Sequence, residues 1–358
     1  MVVVGADVHK RTHTFVAVDE VGRELGSKTF DATTTGHQDA VCWARSKFGE
    51  ELRWAIEDCR HLSARLERDL LSAGQQVVRV PPKMMAEQRR IARTRGKSDP
   101  IDAAAVARAA LREPGLPVAS HDDTSRELKL LIDRREDLVQ QRTRAINRLL
   151  WRVHELDPSW APPARSLNLA KHQQALMDKL TSAPATGIAA VVAELARDEL
   201  TDIIELTGRV NALERRIRSL VTQSAPTLLA MPGVGVLTAA KLVGETAGVS
   251  RFKSEAAFAR HAGIAPIPVW SGNTAGRVRL TRSGNRQLNA AIHRIAVTQI
   301  RLDGLGKTYY EKKKSDGMST PEALRCLKRR LARVVFNHLK TDHKTVKTVA
   351  PASLPAAA

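Results

Sequence analysis

Apolar residues in this chain follow two different periods, and the change from one to the other divides it. Val2-Val3-Val4-Gly5-Ala6 runs apolar and largely β-branched up to Asp7. Thr14–Val18 and Leu25–Phe30 repeat the pattern on either side of the turn Asp19-Glu20-Val21-Gly22-Arg23. Short runs of this kind joined by a polar Gly-containing turn predict a three-strand meander. A helix is predicted over Gln38–Phe48, where Ala40, Val41, Ala44 and Phe48 share a stripe, followed by a strand over Leu52–Glu57. His61–Ser72 reads as a helix stopped at Ala73-Gly74, and Gln76–Val80 as a fifth strand closed by Pro81-Pro82. With the alanine-rich helix Ala103–Leu111, the order meander, helix, strand, helix, strand, helix predicts an α/β domain with a mixed sheet over residues 1–115.

From about Asp122 the period lengthens. Leu128, Leu131, Ile132, Leu138, Ile146, Leu149 and Leu150 recur at three- and four-residue steps among Arg and Glu, predicting one long amphipathic helix to Glu155. Gly187–Gln223 supplies a partner with Leu195, Leu200, Ile204, Leu206, Val210, Leu213, Ile217 and Leu220 as its stripe. Residues 116–225 are therefore expected to be a helical coiled-coil or linker region whose antiparallel arms set spacing or mediate oligomerisation. A solvated bundle helix fits the same pattern. Residues 226–345 read as a third, mainly α-helical domain, and 346–358 as a disordered tail.

Charge narrows the partner. The 358 residues carry a net charge of +19 with a pI near 10.4, which points to nucleic acid rather than a small metabolite. Between Arg277 and Lys347, 18 Lys and Arg stand against 5 Asp and Glu, so the excess is concentrated late in the chain. Aromatics make up only 4%, which favours phosphate contact over base stacking. Cys42, Cys59 and Cys326 lack metal-site spacing and read as thiols of a reducing cytoplasm. No apolar run approaches the ~20 residues of a membrane span, and no charged-then-apolar leader is visible. The expectation is a cytoplasmic, nucleoid-associated protein with no membrane partner.

The candidate chemistry lies at the ends of two strands and the start of a helix. Asp7 and Glu57 each close an apolar strand, and Asp99 and Asp102 open the alanine-rich helix, with Pro100 between them. Plain capping is one account: Asp99 as N-cap, Pro100 in the first helical position, and Asp102 favoured by the helix dipole. The other is a cation site, because four carboxylates converging on one sheet edge repel unless a cation sits among them. Hard oxygen ligands suit Mg²⁺ or Mn²⁺, and a pair of such ions is a recurring device for cutting phosphodiesters.

Two further features belong to the last domain. Met231-Pro232-Gly233-Val234-Gly235-Val236, running on to Lys241, resembles a helix-hairpin-helix. Backbone N–H groups around Gly233 and Gly235 would meet a phosphate there, and Lys241 would add charge; a simple packing corner is the alternative. After the Pro- and Gly-rich stretch Gly263–Asn273 comes a basic patch, Arg277, Arg279, Arg282 and Arg286. Ser271 lies in that loop. A serine beside arginines can attack phosphorus, although Ser-Gly in a loop is ordinarily a turn.

Taken in order, these segments resemble the DEDD-type transposases of insertion-sequence family one hundred and ten, also described as bridge-RNA-guided recombinases. The first half of the likeness is Gly5-Ala6-Asp7-Val8-His9-Lys10, Ala55-Ile56-Glu57-Asp58-Cys59-Arg60 and Lys97-Ser98-Asp99-Pro100-Ile101-Asp102-Ala103. The second is Met231–Gly235, Arg251-Phe252, Gly263-Ile264-Ala265-Pro266 with Ser271-Gly272, and Ser283-Gly284-Asn285-Arg286-Gln287-Leu288. Ala6 and Ile264 depart from the Ile and Leu common there. The resemblance implies an RNase H-like (RuvC-like) first domain with Asp7, Glu57, Asp99 and Asp102 binding Mg²⁺, and Ser271 as a nucleophile that bonds to a DNA phosphate. It further implies double-stranded DNA as substrate, a structured guide RNA, and a dimer or tetramer whose active site joins the tetrad of one protomer to the serine of another. The residues alone also admit a metal-dependent junction endonuclease using water, and a non-catalytic DNA-binding protein with a degenerate nuclease fold.

Overall fold

The fold is that of a computed structural model, which describes residues 1–58, 62–81, 84–85, 88, 98–113, 115–120, 122–183, 186–268, 278–280 and 284–349, with backbone alone at 279–280 and 346–349. The chain forms two compact units. One is Met1–Asp122 with Ser250–Ser254, and the other is Asp123–Val249 with the chain from Glu255 onward.

The first unit is a mixed sheet in the order β3-β2-β1-β4-β5, made of β1 (Val2–Val8), β2 (Thr12–Val18), β3 (Glu24–Asp31), β4 (Leu52–Glu57) and β5 (Gln76–Val80). β1, β2 and β3 run antiparallel as the meander, and β4 and β5 lie parallel to β1. β1 is central because its alternate residues bury on both faces, whereas β3 is an edge strand carrying exposed Glu24, Ser27 and Lys28. Helices α1 (Thr34–Phe48) and α2 (Ala64–Ser72) bring apolar residues to one face, where Phe15, Trp54, Ile56, Leu66 and Leu70 are fully buried. The other face is covered by α3 (Asp99–Arg112), whose alanines 103 to 105, 107, 109 and 110 are all buried.

Small residues let α3 lie very close to the sheet. A Cβ on Gly5 of β1 would stand 2.2 Å from the Ala103 carbonyl oxygen and 2.5 Å from the Ala107 nitrogen. Two polar pairs lie on the opposite face: Arg79 of β5 donates to Glu67 of α2 at 2.6 and 2.5 Å, and His37 of α1 meets Asp69 at 2.7 Å.

The second unit is helical. α4 (Asp123–Leu156) and α6 (Gly187–Ser224) run antiparallel, with Arg216 on Glu127, Arg142 on Thr207 and Arg148 on Glu199 marking the register. α5 (Ala170–Thr181) packs against them through Leu176 and Leu180 beside Leu149, Val153, Leu200 and Ile203. The buried stripe of α6 is Ala196, Leu200, Ile203, Thr207, Val210, Ile217 and Val221. That corrects the expected stripe by one residue in its first half: Leu195 and Ile204 point outward. The remaining helices are α7 (Pro226–Leu229), α8 (Val236–Thr246), α9 (Glu255–His261), α10 (Arg286–Gln299), α11 (Leu305–Ser315) and α12 (Thr320–Val349), with a two-stranded hairpin of β6 (Pro266–Pro268) and β7 (Val278–Leu280). Residues 346–349, expected within a disordered tail, continue α12. No described helix is long and apolar enough to cross a membrane.

Candidate metal centre and nucleophile loop

Asp7 and Glu57 come together through strand pairing. β1 and β4 are parallel with Ala6 level with Ile56, so the next residues, Asp7 and Glu57, sit side by side at the same edge. Alternation turns both toward α3. Val3 and Ala55 pack on that face, whereas Ala6 and Ile56 pack on the other.

α3 brings the second pair. Ser98 is extended (φ −150°, ψ 153°) and its carbonyl accepts from the Asp102 amide at 3.0 Å. Ser98 is therefore the N-cap, and Asp99 the first helical residue rather than the cap, with Pro100 second. Asp102, one turn on, is buried. The Gly5 contact holds this end of α3 against β1, which is why its carboxylates reach Asp7.

Electrostatics records the convergence. Burial lifts the Asp7 carboxyl above its ordinary range; His9 lowers it, while Asp102 and Asp99 raise it. The His9 ring nitrogen Nε2 lies 3.1 Å from Asp7 Oδ2 and 3.4 Å from Asp99 Oδ1. One donor atom each from Asp7, His9 and Asp99 lie within 4.8 Å of one another, close enough to share a metal ion. Glu57 and Asp102 border that group without belonging to it. Clustered carboxylate oxygens with one imidazole are a donor set that suits a divalent cation. His9 carried no role in the sequence reading, although its spacing of two from Asp7 on a strand end put it on the same face.

The second half of the expected site is reached through α8 and α10. In the Pro-Gly-Val-Gly turn, Gly233 has φ +81° and packs on α10, where Gln299 Nε2 donates to the Pro232 carbonyl at 2.7 Å. Gly235 is the exposed N-cap of α8, with open space around it. Lys241 departs from expectation. It is buried, its ammonium is paired with Glu136 of α4, and it donates to Gln287 at 2.9 Å. As folded, it joins three helices instead of facing a phosphate.

Ser271 and Arg277 fall in 269–277, outside the described residues, as do Arg282 and the Arg279 side chain. Arg286 is exposed in the first turn of α10. The described residues on either side of these positions are held together closely. Gly263 (φ +65°) and Gly284 (φ +147°) touch so closely that a Cβ on Gly284 would lie 2.6 Å from the Gly263 Cα. Asn285 N–H donates to the His261 carbonyl at 2.7 Å, and Asn289 Nδ2 donates to the carbonyls of Ala262 and Gly263 at 3.0 and 3.2 Å. Asn285 also caps α10, accepting from the Gln287 and Leu288 amides, and donates to Glu245, which pairs with Lys129 at 2.8 Å. Both ends of the loop are thereby tied to the helical core. These residues lay inside motifs legible in the sequence, but their clamping role depends on tertiary contacts.

Comparison with known proteins finds matches to both regions of the chain. Residues 4–156 match the DEDD transposase domain of the IS110 type, and residues 225–311 the transposase domain of the IS116/IS110/IS902 family. The chain is 30% identical to the 42 kDa protein of insertion element IS900 from Mycobacterium paratuberculosis, over 99% of its own length and 98% of that protein. The chain belongs to the IS116/IS110/IS902 family of transposases. This transposase is also 27% identical, over 97% of its length and 96% of the relative, to the 44.8 kDa protein of insertion element IS116 from Streptomyces clavuligerus. A solved chain of T. thermophilus RuvC in complex with a Holliday junction substrate overlaps 33% of the transposase and 99% of itself, at 15% identity and TM-score 0.27, a likeness too slight to carry an argument.

Proposed function

We propose that this transposase recombines the DNA of its insertion sequence through a carboxylate tetrad, Asp7, Glu57, Asp99 and Asp102, in an RNase H-like (RuvC-like) N-terminal domain, acting together with Ser271 as nucleophile. One observation carries the reading: Asp7 at a strand end feels the negative charges of both Asp99 and Asp102, with Glu57 level beside it on the neighbouring strand. Such a cluster is costly for a fold to keep without a cation. Mg²⁺ or Mn²⁺ held there would supply Lewis acidity to a phosphodiester. The chain's own part is to bind and orient. Arg277, Arg279, Arg282 and Arg286 hold the DNA phosphates, and the amides at Gly233 and Gly235 take one more at the start of α8. Ser271 Oγ bonds to phosphorus as one DNA P–O bond breaks, and the proton of the serine passes to the departing hydroxyl end. Reversal by a different DNA end rejoins the strands. A structured guide RNA selects the sequences, and the site is completed in a homo-oligomer by the tetrad of one protomer and the serine of another. The basic surface of the last domain supports a nucleic-acid substrate.

Incubation with DNA carrying the element ends tests this. A protein–DNA adduct that survives denaturation is expected for the natural chain and for none of the Ser271→Ala preparations. Cleavage by Ser271→Ala at the natural rate would transfer the nucleophile's role to water and remove the serine from the mechanism.

A further inference from the structure

The fourfold carboxylate set does not include the imidazole that lies closest to it. His9 follows β1 by one residue, and its amide donates to the Thr12 carbonyl at 3.1 Å, which pins the turn into β2. Its place two residues after Asp7 returns it to the same face, and its Nε2 is within 3.4 Å of carboxylate oxygens from both β1 and α3. We propose that His9 is a ligand of the metal centre, giving one cation position a nitrogen donor beside Asp7 and Asp99. This rests on the reading of that edge as a divalent-cation site and adds a specificity to it. Oxygen-only sites with retained waters suit Mg²⁺, whereas an imidazole ligand shifts preference toward first-row transition ions. The centre is thereby biased toward a transition-metal dication over Mg²⁺. His9 remains half exposed, so its replacement does not open a cavity in the core.

The test uses full-length, metal-stripped protein titrated with MgCl₂ and, separately, CoCl₂, followed by calorimetry and by the cobalt visible absorption band. Three proteins are compared: the natural chain, His9→Ala and Asp7→Asn, with His9→Asn as a second variant should His9→Ala prove poorly folded. The expected result is that His9→Ala weakens Co²⁺ binding at least about tenfold, alters the cobalt spectrum, and leaves Mg²⁺ affinity nearly unchanged. An equal loss for both ions would make His9 an orienting group and overturn the ligand assignment. Unchanged Co²⁺ affinity and spectrum in His9→Ala, with both ions lost in Asp7→Asn, would overturn it while sparing the carboxylate centre. Unchanged binding in Asp7→Asn as well would overturn the metal centre itself.

Discussion

Replacing Gly5 by alanine tests whether close packing of α3 on β1 is what assembles the carboxylates. The added methyl would sit 2.2 Å from the Ala103 carbonyl oxygen, 2.5 Å from the Ala107 nitrogen and 2.8 Å from the Ala107 Cβ. All three belong to α3, and two are backbone, so no side-chain rotation relieves the overlap. The helix must retreat by about 1 Å to restore ordinary contact distances. That retreat loosens the alanine face from Val3, Val16 and Ala55, which α3 otherwise buries. Overpacking of this kind costs about 1–3 kcal/mol, and backbone overlap places Gly5→Ala near the upper figure. A loss of that size lowers the melting temperature of the first unit by roughly 10 °C. The same movement carries Asp99 and Asp102 away from Asp7, so Co²⁺ or Mn²⁺ affinity falls with stability. Calorimetric melting and ion titration on the same preparation read both effects. Natural melting and natural ion affinity in Gly5→Ala would refute the reasoning. So would rescue by Ala107→Gly, which removes a side-chain contact but neither backbone one.

Four other outcomes follow. His13 is buried against His37, the rings stacked at 5.1 Å with no partner among the described residues for His13 Nδ1, and burial above all, then His37, lowers its pKa from 6.5 to about 4. Below pH 6.5 the unfolded chain takes up a proton that the folded one refuses until about pH 4, so stability present at neutral pH is lost across that window, by about 3 kcal/mol. Melting curves from pH 7.5 to 4.5 are expected to fall more steeply for the natural chain than for His13→Leu; equal slopes would contradict this. Asp7, its carboxyl raised by burial and neighbouring carboxylates, resists ionisation when folded, so Asp7→Asn is expected to melt higher than the natural protein at pH 7 without metal, while losing DNA cleavage. A lower melting temperature would show that Asp7 stabilises the fold. Lys241→Met strands Glu136 and is expected to cost about 1–3 kcal/mol without changing the salt dependence of DNA binding. Arg286→Ala should do the reverse, and a flattened salt slope in Lys241→Met would return that lysine to the DNA surface.

What could be read from the residues alone followed from local period. The strands ending at Glu57 and Val80 stand where the apolar runs place them, because β-branched runs and the prolines after them act over a few residues. The level pairing of Asp7 with Glu57 is different: it needs β4 to enter parallel beside β1, and register between strands some fifty residues apart leaves no trace in either run. Gly5 and the alanines of α3 were each visible as small residues, yet only their contact explains why both are small. Lys241 shows the same limit of local pattern. A lysine after a glycine turn looks like a phosphate ligand until Glu136, over a hundred residues earlier, arrives on α4 to take its charge. His9 stood in the open beside Asp7, but one imidazole next to one carboxylate is common, and only the arrival of Asp99 from α3 makes it a third donor. The chemistry of this transposase is therefore written twice. Residue type at each motif is legible locally, whereas the grouping that brings those residues near one another is set by uncharged packing, the alanines of α3 against Gly5 of β1.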